Sequence, residues 1–231
     1  MKSKQSFRQE SAFLQNPNKT FAAAENLVKQ PQPIFSDGLA LPPSAFNQKG
    51  KSMNAQDVLD FWFAEPNRPF WFAKNDDFDQ QIRSRFFPLW QQAAAGELAD
   101  WRDTLRGRLA EIIILDQFSR NLFRDSPAAF AQDLAAVCLA QEAVRLPGFA
   151  AMKEEERHFI LMPLMHSESR AIHTQAAALF ERYTSESASD FELRHKAVID
   201  RFGRYPHRNA VLGRESTAEE QDFLSRPGSS F

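Results

Sequence analysis

The residue types that could do chemistry gather in three stretches. The densest is Arg201–Phe202–Gly203–Arg204–Tyr205–Pro206–His207–Arg208–Asn209, followed by Leu212–Gly213–Arg214. Arginine offers a rigid fork of donors that matches a carboxylate or phosphate. Histidine titrates near neutral pH and can pass a proton. Glycine lets backbone approach closely, and Pro206 fixes the turn. The second stretch is Met162–Pro163–Leu164–Met165–His166–Ser167–Glu168. There a proline interrupts a helical pattern and presents His166 and Glu168 near a helix start. The third is Asp116 to Arg124, in which Asp116, Arg120 and Arg124 recur at spacing four and share one helix face.

These residues support more than one use. In a functional reading, Arg120, Asn121, Arg124, Arg204, His207, Arg208, Asn209 and Arg214 bind an anionic small molecule. His166, His207 and Glu168 are then the candidate catalytic groups, with Glu168 or Asp116 orienting a histidine. In a structural reading, the arginines pair with Asp116, Glu168 and Asp200 and pin the C-terminal loop to the central helices. In a third, a helical groove receives a partner peptide. The spacing of His166 and His173, seven residues on one helix if it is continuous, is a poor metal signature, so no metal is expected. No cofactor motif is legible.

The elements that must position these residues are helical. Phe is common at 22 and Gly scarce at 8, which suits packed helices better than a many-turned sandwich. The pattern predicts helices over 55–63, from Asp76 to Gly96 with a kink or break at Pro88, and over 104–123. Others follow from the Ser126–Pro127 start to Arg145, from about Lys153 to a break at Pro163, and from a Ser167 cap to Tyr183. A further helix starts after Ser189–Asp190 and ends at Gly203, and the last opens with a Ser216–Glu219 capping box. The run Leu109 to Leu115 is apolar almost all round, the mark of a central helix. Short connections favour antiparallel helix pairs in one all-α domain over 53–231.

Residues 1–52 differ. They are polar, with four prolines between Pro31 and Pro43. They read as a disordered leader with one short helix at 20–29, or as sequence upstream of a true start at Met53.

Composition excludes several classes. The net charge of −2 gives no bulk attraction to nucleic acid or anionic lipid. No apolar run reaches a membrane span and no secretory h-region follows Met1, so a soluble cytoplasmic protein is expected. The single cysteine, Cys138, rules out an intrachain disulfide and a Cys-based zinc site. Its apolar surroundings predict a small buried hydrophobe.

The three stretches, with Phe61–Trp62–Phe63 and Ser216–Thr217–Ala218–Glu219–Glu220, resemble bacterial domain-of-unknown-function family 924 (DUF924), of the tetratricopeptide-like helical superfamily. The resemblance covers about Met53 to Leu224 and implies a bacterial tetratricopeptide-like helical array. It supplies no reaction and no catalytic residues to transfer. Ser119 stands where the family often has proline, and Tyr205 where phenylalanine is usual.

Overall fold

The computed structural model describes residues 53–229, which lie in one compact unit. The expectations for residues 1–52 lie outside the described residues. Among the described residues the chain forms nine α-helices and no strand. They are α1 (Ala55–Trp62), α2 (Asp76–Ala94), α3 (Leu105–Ile112), α4 (Ser119–Leu122), α5 (Asp133–Ala143), α6 (Glu154–Met165), α7 (Arg170–Tyr183), α8 (Glu186–Phe202) and α9 (Ala218–Leu224). None is long and apolar enough to cross a membrane.

Local chemistry explains most boundaries. Asn54 caps α1 by accepting the amides of Gln56 and Asp57, while Asp57 returns a bond to the Asn54 amide. Asn75 caps α2 and Thr104 caps α3. Gly203 ends α8 at φ +70°, a left-handed conformation that costs any residue with a Cβ.

Several expected boundaries move. Helix α2 continues through Pro88, and α6 continues through Pro163 to Met165, so neither proline breaks its helix. Ser126 and Pro127 start only a short 3-10 turn, Pro127–Phe130, before α5 begins at Asp133. The cap of α7 is Ser169 rather than Ser167, α8 starts earlier under Ser185, and the last capping box is Thr217–Glu220. His166 and His173 therefore sit on either side of a break, not on one helix. Cys138 is exposed on α5, contrary to the buried position expected. It lies on the helix face turned from the core, opposite Ala136, Val137, Leu139 and Ala140.

The core centres on α3 and its continuation. Leu109, Ile112, Ile113, Ile114, Leu115 and Phe118 are all buried, each side chain contributing about 1.5–3 kcal/mol. The rings of Phe61, Trp62, Phe78, Phe86, Phe118 and Phe159 pack around one another, Phe61 stacked on Phe78 and the others edge-on or tilted. Helices α5, α6, α7 and α8 pack in chain order, each on the next for α5–α6, α6–α7 and α7–α8. Between Ile113 and Phe118 the helical ladder widens into a π turn before α4 resumes. Side chains take up carbonyls there: Ser119 Oγ donates to Leu115 O at 2.6 Å, and Arg120 Nη1 to Asp116 O at 2.7 Å.

Candidate functional site

The π turn carries Asp116 into the interior, where its side chain is fully buried. A carboxylate there needs several partners. It accepts from His166 Nδ1 at 2.8 Å, from Gln117 Nε2 at 2.5 Å, and lies 3.0 Å from Arg120 Nη1. Burial alone would raise this carboxyl. Arg120 first, then His166 and Gln117, overturn that and hold it well below the usual carboxylate range. The carboxylate is thus ionised and acceptor-only, which places the His166 proton on Nδ1. His166 is the C-terminal cap of α6, with its side chain 14% exposed. Its Nε2 has no protein partner among the described residues. Burial and then Arg120 lower its pKa, so the ring is neutral at pH 7 and Nε2 carries a lone pair.

Arg120 connects this pair to the C-terminal segment. Its Nη1 and Nη2 also reach Asp133, at 3.0 and 3.2 Å. Asp133 accepts in turn from Arg208 Nη1 at 3.1 Å. The Arg208 guanidinium lies between the rings of Phe130 and Tyr205, at 4.5 and 4.7 Å from their centroids. It is buried, and its Nε has no protein partner among the described residues. Burial, then Arg120, lowers its pKa from the ordinary arginine value. Two guanidiniums thus lean on one carboxylate at this point.

The tail and the His–Ser–Glu turn meet. Tyr205 Oη donates to the carbonyl of Met165, next to His166, at 2.5 Å. Arg214 grips Glu168 through both nitrogens, at 2.6 and 2.9 Å, and Glu168 also accepts the Tyr205 amide at 2.8 Å. These bonds hold Glu168 below the ordinary range despite half-burial. Glu168 thus clamps the tail, and Asp116 is the group that orients His166. His173, fully buried, donates Nε2–H to Ser167 O at 2.9 Å and shares a proton through Nδ1 with Glu192 at 2.8 Å. Burial pushes Glu192 up.

Arg124, Asn121, Arg204 and Asn209 engage carboxylates other than Asp116 and Asp133. Arg124 and Asn121 both bind Asp79, with Arg124 Nη2 and Asn121 Nδ2 at 2.9 and 2.7 Å from it. Helix α4 ends at Leu122, so Arg124 leaves the face it was expected to share with Asp116 and Arg120. Arg204 places two donors on Glu220 at 2.7 and 2.8 Å, and Asn209 reaches Ser216 and Glu220. His207 lies in the same turn, its pKa pushed down to about 4 by burial first and Arg208 second. Asp200 pairs with Lys196 rather than with an arginine side chain. Two hollows, of about 450 and 240 Å³, are lined by other residues, around Lys153 and Glu155. Among the described residues no group of three or more His, Cys, Asp or Glu could hold a metal ion.

Asp133 and Phe130 were missing from the sequence reading. A lone aspartate before an apolar helix reads as a dipole-favoured first-turn residue, and nothing local marks it as the bridge between Arg120 and Arg208. Ser119 accepts from Trp90 Nε1 at 2.8 Å within the π turn, and Tyr205 supplies the hydroxyl that binds Met165.

Comparison with known proteins places these features in a wider group. A family model described as a bacterial protein of unknown function (DUF924) matches residues 58–228. A solved structure of a protein of unknown function from Agrobacterium tumefaciens is 35% identical and superposes with a TM-score of 0.70. It covers 74% of this chain and 96% of its own. No curated protein matches the chain.

Proposed function

The chain belongs to the DUF924 family of bacterial proteins of unknown function, and from this premise we propose that it binds a small anionic molecule beside His166 and exchanges a proton with it. One observation carries the reading. A fully buried, ionised Asp116 fixes the His166 proton on Nδ1 and leaves Nε2 as a base without a protein partner among the described residues. Arg208 supports it from the side of the anion. Its Nη1 is engaged by Asp133, while its Nε is buried without a protein partner among the described residues, so the donors of its other edge suit a carboxylate or phosphate. In this reading Arg120 and His207 belong to the anion side. Arg124, Arg204 and Arg214, whose forks are engaged by Asp79, Glu220 and Glu168, brace the walls.

The test is an NMR titration of His166 with inorganic phosphate and with acetate. Saturable shifts of the His166 ring signals that vanish in Arg208→Ala support the proposal. Ring signals that do not respond to either anion refute it.

A tetratricopeptide-like scaffold for a partner peptide is the second reading. The chain-order packing of α5 to α8 and an open hollow of about 450 Å³ favour it. It differs in predicting that His166→Ala leaves function intact.

A further inference from the structure

Away from His166, the hollow of about 450 Å³ lies where the segment after Trp62 meets the start of α6, with Trp71, Phe72, His158 and Phe159 on its walls. That volume is in the range of small-molecule pockets. Its aromatic walls are not equivalent. Phe159 is buried and held edge-on by Trp62, Phe63 and Trp71. Trp71 is fixed by its Nε1–H donating to Trp62 O at 2.9 Å, and Arg68 covers one face of it at 5.1 Å. Phe72 is the exception. It is 71% exposed, nearly parallel to Phe159 at 10°, and 6.4 Å from it between centroids, the outer end of stacking distance. A large aromatic ring left this open beside the closely packed rings of Trp71 and Phe159 has area to give a ligand.

The polar groups define what kind of ligand. Lys153 and Glu154 are adjacent opposite charges at the rim, and Glu155 is neutralised by Arg68, with Nη1 at 2.5 Å. The rim therefore selects for neither sign. His158 packs edge-on to Phe72, Phe159 and Phe180. Its ring nitrogens have no protein partner among the described residues. A neutral imidazole presents one donor and one acceptor, which matches a flat ring carrying both on its edge.

We propose that this hollow binds an uncharged, flat nitrogen heterocycle of the nucleobase kind, stacked against Phe72 and hydrogen-bonded at its edge by His158. The proposal is independent of the His166 reading, because the two sites share no residue. Burial lowers the His158 pKa to about 4, so the imidazole stays neutral through the physiological range.

Adenine is the probe, followed by quenching of tryptophan fluorescence, with cyclohexanol as an apolar control lacking a flat polar edge. Saturable quenching by adenine and none by cyclohexanol is the expected result. Phe72→Ala should weaken adenine binding by about tenfold or more, the loss that accompanies removal of one aromatic stack. His158→Phe should weaken it while keeping the ring. Because Phe72 is exposed, its variant keeps the fold even if the His158 variant does not. No saturable quenching in the unaltered chain overturns the proposal, as does unchanged affinity in Phe72→Ala. Equal affinity for adenine and cyclohexanol reduces the hollow to an unspecific apolar surface and likewise overturns it.

Discussion

Replacing Asp116 by Asn tests the centre of the structure most directly. The two side chains have nearly the same shape, so the change isolates charge. In the native chain the buried carboxylate takes His166 at 2.8 Å, Gln117 at 2.5 Å and Arg120 at 3.0 Å. Breaking a buried pair by removing one partner costs about 3–5 kcal/mol. Arg120 keeps Asp133 at 3.0 and 3.2 Å, so its charge is not stranded, and the lower end, about 3 kcal/mol, applies. For a domain of this size that is a fall in Tm of roughly 6–12 °C. The histidine responds as well. Asp116 raises the His166 pKa while Arg120 lowers it, so losing the carboxylate leaves Arg120 opposed only by the weaker pull of Asp133, and the His166 midpoint falls further. An amide can also donate where the carboxylate only accepted, which permits the proton to move from Nδ1 to Nε2 and removes the base. Urea unfolding followed by tryptophan fluorescence reads the first effect, and nitrogen-15 chemical shifts of the His166 ring read the second. Destabilisation below about 1 kcal/mol, together with an unchanged His166 titration, would refute the assignment of Asp116 as the ionised anchor.

Two further outcomes are expected. Burial holds His195 down at about 3 and His158 and His207 at about 4, below the free histidine value near 6.5. The unfolded chain therefore binds more protons below about pH 6.5. The stability contributed by these neutral rings is present above that pH and lost as pH falls towards 4, about 1–2 kcal/mol per histidine by pH 5. Urea midpoints measured at pH 7.5 and pH 5 check this, and equal midpoints contradict it. Gly203→Ala forces a Cβ into φ +70°, where the nearest atom is Arg170 Nη2 at an ordinary 3.5 Å, so the cost is backbone strain of about 1–2 kcal/mol. A thermal melt indistinguishable from that of the unaltered chain would show that Gly203 does not hold this conformation in solution.

The all-helical class, the apolar central helix and most starts and stops were legible in the amino-acid sequence because their causes are local. An Asn or Thr bonds its own next turn, and an apolar stripe repeats at helical spacing. The prolines misled for a reason that is also physical. Pro88 and Pro163 sit in helices held by tertiary packing, with Leu89, Trp90, Leu161 and Leu164 buried around them, and that burial outweighs the missing amide. The same sequence announced that arginines, His166 and Glu168 would matter, and left open whether they meet a ligand or one another. Which carboxylate each arginine takes depends on segments far apart in the chain, as with Arg214 and Glu168 or Arg208 and Asp133. No periodicity within a helix encodes such a pairing. The widened turn that carries Asp116 inward was equally invisible, because it changes the register of a helix without changing its apolar character. Residue types and their spacing determined which groups could do chemistry. Only the packing of α3, α6 and the C-terminal segment against one another decided that His166 meets the buried Asp116 with its proton fixed, since burial and charge pairing act across space rather than along the chain.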